Sequence, residues 1–307
     1  MFTKKRDAAS CLEVLFKLLD DAKLAPETML KSEAQKERYE SNLMFAFRKL
    51  QAARYHCQRV DELLELQRKE LSQLASKPKK YGLQAESLTL RTNMSSDEFA
   101  FELCAFFAAI RSGVDFLSIA CAQHIKEAQQ TTSITTLLKL IKNERKGPIL
   151  KVIAKNEEWL VQMRDYRDYL VHRLVIRTTR GGQIQWKHGK QVTTPYPIVV
   201  PSETPKNVPD TRCARAYDDP ESRFDVATSE AFITDAHGKK RLIEWKVEIR
   251  PADGYIRVER LMKRELASFE RFFVRIVEVL TESDFAPEPL KSSPKKPSYT
   301  LTESSKW

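Results

Sequence analysis

The chain has 307 residues, and its 52 Lys and Arg against 42 Asp and Glu give a formal net charge of +10. Apolar residues at 42% and charged residues at 31% exclude global disorder and supply enough hydrocarbon for one large domain or two ordinary ones. Eight glycines are few for a strand-rich sandwich or a glycine-loop phosphate enzyme, so a mainly helical body is expected, and the basic balance suits contact with a polyanion.

In chain order, residues 7–20 read as a short amphipathic helix with Leu12, Leu15, Phe16 and Leu19 on one stripe. Residues 33–75 form a long helical pattern in which Leu43, Phe47, Leu50, Arg54, Cys57 and Leu64 recur near helical spacing. Ser76 to Gly82 stops it. The span 96–125 is the most apolar helix; Ser96 suits its N-cap, and Asp97 and Glu98 suit its dipole. Its apolar residues cover more than one face, which predicts a central, buried element. A short helical piece follows over Ile134 to Ile141. Lys146-Gly147-Pro148 ends it, and one further helix runs over 149–172.

After His172 the pattern changes. Leu174 to Thr179 is β-prone, Gly181-Gly182 reads as a turn, and Gln183 to Trp186 alternates, which together predict a hairpin. Residues 191–222 are rich in Pro, Thr and Asp and read as an irregular loop. Residues 241–250 alternate over one strand, and Pro251 to Gly254 turn the chain. A final amphipathic helix begins at Arg257 and ends at Thr281. The expected domain plan is a helical core over 1–176, a β-hairpin and loop insertion over 177–256, a last bundle helix over 257–282 and a disordered tail over 283–307. The expected fold is thus mainly α: an antiparallel four-helix bundle with a small β-containing insertion between its third and fourth main helices.

The longest apolar run, Leu103 to Ile110, falls far short of the roughly 20 apolar residues of a membrane span, and Met1 to Ala9 is charged with no apolar stretch behind it. No membrane contact and a cytoplasmic setting are expected. Cys11, Cys57, Cys104, Cys121 and Cys213 lie far apart with no C-x2-C pair, so reduced thiols, no metal site and no cofactor are expected.

The chemistry concentrates at the end of the 149–172 helix. Asp168 and His172 are four residues apart and share a helix face, so the carboxylate can orient the imidazole. Arg167 lies about 140° around from His172 on an ideal helix, yet its side chain is long enough for both to converge on one phosphate. An imidazole that moves a proton and a guanidinium that stabilises phosphoryl oxygens are the minimal equipment for cleaving RNA without a metal. The 2′-hydroxyl would be the nucleophile, so RNA and not DNA would be cut.

Arg167-Asp168-Tyr169-Leu170-Val171-His172 is an R-x4-H with a polar residue after the arginine, and here the sequence resembles the HEPN superfamily of helical-bundle proteins, whose hallmark is R-x4–6-H near the end of a helix. Glu102, Arg111-Ser112 and Asp115-Phe116 resemble the helix that packs beside that motif in many bacterial members. The resemblance covers residues 35–176 and 257–281. It implies a metal-independent endoribonuclease of single-stranded RNA in a toxin–antitoxin or phage-defence system, with Arg167, Asp168 and His172 catalytic. It also implies a homodimer that faces two motifs across one cleft, and a partner such as a cognate antitoxin or a nucleotidyltransferase. Other members only bind RNA or proteins, and a non-catalytic interaction module is the alternative.

Between Arg164 and Lys190 there are seven Lys or Arg against two acids. Arg164, Arg173, Arg177, Arg180 and Lys187 are expected to track a phosphate backbone. Tyr169, with Tyr166 and Trp186, is expected to stack bases. Glu102 and Asp115 need partners on so apolar a helix and are expected to support Arg167 or its neighbours from behind. Arg54-Tyr55-His56 is a second basic cluster whose spacing fits a surface histidine. His188 and His237 sit beside glycines in turns.

Overall fold

The computed structural model describes residues 32–75, 87–91, 97–125, 128, 130–142, 147–172, 181–187, 190–204, 224–235 and 237–281. The expected helix over 7–20, the loop over 76–82, the Ser96 cap, the β-prone 174–179 and the tail over 283–307 lie outside them.

In α1 (Glu33–Ala75) the buried positions follow one another mostly three or four residues apart, from Tyr39 and Leu43 through Leu50, Cys57 and Leu71 to Ala75. That spacing keeps one stripe of a helix on its partner. At about 1.5 Å of rise per residue the element is about 65 Å long. Its main partner is α2 (Asp97–Ala122), which also meets α3 (Ile134–Ile141), α5 (Glu157–His172) and α6 (Val258–Thr281). Contact on so many sides explains why its apolar residues spread around the helix. Among the described residues α2 is also the one helix long and apolar enough to cross a membrane by length and composition, and 56% of its apolar window is buried within the molecule. Phe101 is an exception to the expected burial: it is 69% exposed.

Close approach inside this layer is set by a missing side chain. A Cβ on Gly113 of α2 would lie 2.5 Å from the Phe269 ring of α6 and 3.1 Å from Lys49 Cβ of α1. Phe99, Phe106, Phe107, Phe269, Phe272 and Phe273 are all sealed from solvent in the surrounding core. The helical core continues into α4 (Pro148–Lys155), which packs on α6.

The structure is mainly helical with a small β part, and six helices are present among the described residues. The single helix expected over 149–172 is two. Asn156 ends α4: its backbone N–H bonds back to Ile153 and Ala154, and its side-chain amide donates to the Val152 carbonyl at 2.8 Å. A short polar side chain that bonds the preceding turn competes with helix propagation, so the axis is interrupted there.

The β part also differs from expectation. β1 (Ser87–Arg91) lies between α1 and α2 in sequence and pairs antiparallel with β2 (Gly181–Lys187), which pairs with β3 (Lys190–Pro195). Gly181 and Gly182 are therefore strand residues and not a turn. The reason is contact: a Cβ on Gly182 would lie 2.6 Å from the Thr194 carbonyl oxygen and 2.9 Å from Leu71 of α1. β2 and β3 pair up to Lys187 and Lys190, and 188–189 between them lie outside the described residues. The expected irregular loop over 191–222 contains most of β3 and all of β4 (Val199–Pro201), while 205–223 lies outside the described residues. β4 pairs with β7 (Tyr255–Arg257), and β5 (Phe224–Thr234) pairs with β6 (Lys240–Pro251). Buried Gln67 of α1 ties this part to the helices, donating to the carbonyls of Gly181 at 3.2 Å and Tyr196 at 3.4 Å. Ile198 and Val200 enter the main core.

Candidate active site

α5 carries the motif. Leu160, Met163, Tyr166 and Leu170 are buried, three or four residues apart, so the helix presents the remaining positions outward. Tyr166 stacks at 5.0 Å on Phe107 of α2 and donates its hydroxyl to the Pro201 carbonyl at 2.8 Å. It is therefore a core residue bridging α5 to β4, and the expectation that it stacks on bases does not hold. Burial pushes its phenol well above the ordinary value. Tyr169 is half-buried, with its ring 6.3 Å from that of Tyr166.

The outward side carries Arg164, Asp165, Arg167 and Asp168, and each arginine pairs with the acid beside it. Arg164 meets Asp165 at 2.6 Å, and Arg167 Nη1 donates to Asp168 Oδ1 at 2.9 Å. Asp168 does not pair with Arg164. Half-exposed pairs of this kind contribute little to stability, so both arginines remain exchangeable for another anion. His172 is the last residue of α5; its side chain, that of Lys187 on β2, and all of Arg173, Arg177 and Arg180 lie outside the described set. Trp186 on β2 is half-buried and donates to Gln191 at 3.1 Å.

Arg167 is not wholly a rim residue. Its side chain is 34% exposed, and its Nε is buried with no hydrogen-bond partner among the described residues. Its charge acts on two residues of α2, Cys104 and Asp115, drawing the pKa of each down against the larger upward push of burial. Positions 104, 111 and 115 are seven and four residues apart, so they lie in one line along α2. Arg111 in this line meets Asp115 at 3.2 Å and donates to the Thr135 hydroxyl at 3.1 Å. Asp115 Oδ1 accepts from the backbone N–H of Ile134 at 2.9 Å, satisfying one of the free donors at the start of α3. Arg111 Nη1, like Arg167 Nε, is buried with no partner among the described residues. The result is a small charged network behind the motif in which Asp115 joins Arg111 to a helix terminus, with the Arg167 charge acting on it from α5.

Glu102 does not join it. It lies about 160° around α2 from Cys104, and its carboxylate sits 2.6 Å from Nδ1 of His56 on α1. His56 is thus a half-buried, carboxylate-paired residue rather than a plain surface histidine, and Arg54 beside it reaches Glu270 of α6 at 2.8 Å. Sequence reading placed Glu102 and Asp115 in one role; the structure divides them. It also missed Arg111 as the partner of Asp115, although the i, i+4 spacing of the two was available. His237 is exposed, and its backbone N–H donates to Asp235. Cys57 and Cys121 are buried free thiols, with Cys121 pushed up to about 12 by burial. Among the described residues no group of three His, Cys, Asp or Glu side chains is placed to hold a metal.

Compared with family models, curated proteins and solved structures, the chain matches none.

Proposed function

We propose that the protein is a metal-independent endoribonuclease of the HEPN type, acting on single-stranded RNA in the cytoplasm as part of a toxin–antitoxin or phage-defence system. The observation that carries the reading is the placement of Arg167 and Asp168 as an exchangeable ion pair on the outward side of α5, one turn before His172 closes the helix. In the reaction a ribose 2′-hydroxyl attacks the adjacent phosphorus and the 5′-oxygen leaves, giving a 2′,3′-cyclic phosphate and a new 5′-hydroxyl. His172 moves the proton to or from these oxygens, Arg167 releases Asp168 to bind the phosphoryl oxygens, and Asp168 then orients the imidazole. A four-helix arrangement built from α1, α2, the α4–α5 pair and α6 is the HEPN-like core of this reading. A homodimer would bring two motifs to one cleft, and a cognate antitoxin or nucleotidyltransferase would hold them silent.

The test is incubation of the purified chain with labelled single-stranded RNA, with and without EDTA. The expected outcome is chelator-insensitive fragments with cyclic phosphate ends, abolished by His172→Ala and by Arg167→Lys. Loss of cleavage in EDTA, or equal cleavage by His172→Ala, refutes the reading. The second reading, an RNA- or protein-binding module without catalysis, is favoured by one observation: Arg167 buries its Nε, and its charge acts on Asp115 inside the helical core. It expects RNA retained intact and unaffected by His172→Ala.

A further inference from the structure

We infer that the outer edge of β5 is a self-pairing interface, on which a second copy of this chain adds its own β5 antiparallel to form a continuous four-stranded sheet. β5 is an 11-residue strand whose single ladder neighbour among the described strands is β6. An exposed edge of that length invites another strand unless it is protected by Lys, Pro or a bulge. β5 contains no Lys, Arg or Pro, its only charges are Asp225 and Glu230, and the one irregularity in the ribbon, at Ala231/Phe232, inserts its extra residue, Ile243, into β6.

The pattern of β5 says what fits there. On one face of the ribbon, β6 supplies Leu242, Trp245, Val247 and Ile249, all buried. Their cross-strand partners on β5 are Phe232, Glu230, Thr228 and Val226, so β5 extends the same face. Yet Val226 is 55% and Phe232 47% exposed. The apolar face therefore runs off the edge of the sheet instead of ending at it.

A two-fold axis through Ser229 completes it. Val226 then lies opposite Phe232 of the second copy, Thr228 opposite Glu230, Ala227 opposite Ala231, and Ser229 opposite itself. Every apolar residue on the shared face meets an apolar residue, the small residues meet small ones, and no like charges are opposed. A shift of the axis by one residue, to Glu230, would set two glutamates against each other and Val226 against Thr234. The strand sequence thus selects one register of its own dimer, and a two-stranded ribbon, marginal alone, becomes a sheet of four. The interface is independent of the ribonuclease reading, since none of its residues belongs to α5.

The experiment is sedimentation of the full-length chain over a range of concentrations, with two variants at the axis. Ser229 is exposed and its side chain is on the ribbon face opposite Trp245, so neither variant disturbs the monomer core. The unaltered chain is expected to dimerise, and Ser229→Lys, which places two ammonium groups face to face, to weaken the dimer about fivefold or more. Ser229→Cys is expected to give a covalent dimer under mild oxidation, because directly opposed residues have Cβ atoms within disulfide reach. Asp225→Cys, which faces Ile233 of the second copy, and the unaltered chain with its native thiols are expected not to cross-link. A chain that stays monomeric, a dimer indifferent to Ser229→Lys, or cross-linking by Asp225→Cys equal to that by Ser229→Cys each overturns the proposal.

Discussion

Asp115 offers the sharpest test of how the region behind the motif is held. Its carboxylate caps the first N–H of α3 and pairs with Arg111, whose side chain is 19% exposed against 25% for Asp115. Asp115→Ala removes both interactions. The lost cap accounts for about 1 kcal/mol. Breaking a fully buried ion pair from one side costs about 3–5 kcal/mol, and the partial exposure of this one reduces that to about 2 kcal/mol. A total destabilisation of about 3 kcal/mol follows. Asp115→Asn keeps an oxygen for Ile134 and nearly the same volume, so it is expected to lose about half as much.

The pH dependence separates the contributions further. Burial is the largest influence on the Asp115 carboxyl and raises its pKa, with the Ile134 N–H, Arg111 and Arg167 pulling the other way. An acid whose pKa is raised on folding is protonated more readily in the native protein than in the unfolded chain. Its contribution is then greatest in acid and declines as pH rises through the window between the ordinary Asp value and the raised one. Urea unfolding of the unaltered chain and of Asp115→Asn between about pH 4 and neutrality should show the gap between them shrinking as pH rises. A gap that widens with pH would mean that the guanidiniums outweigh burial, and equal effects of the Ala and Asn variants would mean that the cap is not made.

Two further outcomes are expected. His124, beside the edge of the Tyr39 ring, is lowered from 6.5 to about 4 by burial. The unfolded chain therefore takes up its proton first, and stability on the order of 3 kcal/mol is lost as pH falls from about 6.5 to about 4; His124→Gln should flatten that part of a pH–stability profile, and an unchanged profile counts against it. Gly113→Ala drives a methyl group into the Phe269 ring and should lower stability by about 1–3 kcal/mol in thermal unfolding, whereas an unchanged midpoint would show that α2 and α6 have room to part.

The helices were legible where one stripe of side chains carries the burial. α1 and the short α3 have the bounds that their apolar spacing predicts, because tertiary contact in each follows a single face. The break at Asn156 was not legible, since the apolar period of Ile149, Ile153, Leu160 and Met163 runs straight across it and only a local amide bond interrupts the backbone. Gly181-Gly182 carries the same signature as a hairpin turn; what makes it a strand is pairing with β1 and β3 beside Leu71, 111 residues before Gly182, which no local pattern records. β5 went unread because its shared apolar face has only Val226 and Phe232, with Thr228 and Glu230 between them. In the candidate site, Asp115 pairs with Arg111, four residues back on the same helix. Glu102 was grouped with it by composition, although counting 100° per residue already sends the two to different faces of α2.

The motif arginine stands at the meeting of two different electrostatic settings. On the solvent side it shares Asp168, in water, where an RNA phosphate can take the place of the carboxylate at little cost. On the inner side its Nε is buried without a hydrogen-bond partner among the described residues, and its charge acts on Asp115 of α2. A substitution that deletes Arg167 therefore disturbs rim and interior together, and a loss of RNA cleavage in Arg167→Ala would not distinguish a phosphate clamp from a packing element. Arg167→Lys keeps a charge for the interior while removing the planar fork that grips two phosphoryl oxygens at once. Of the motif's arginine and histidine, the weight of the enzymatic reading falls on the histidine that ends the helix, because a guanidinium stays protonated and could not take up the proton that a 2′-hydroxyl would give up.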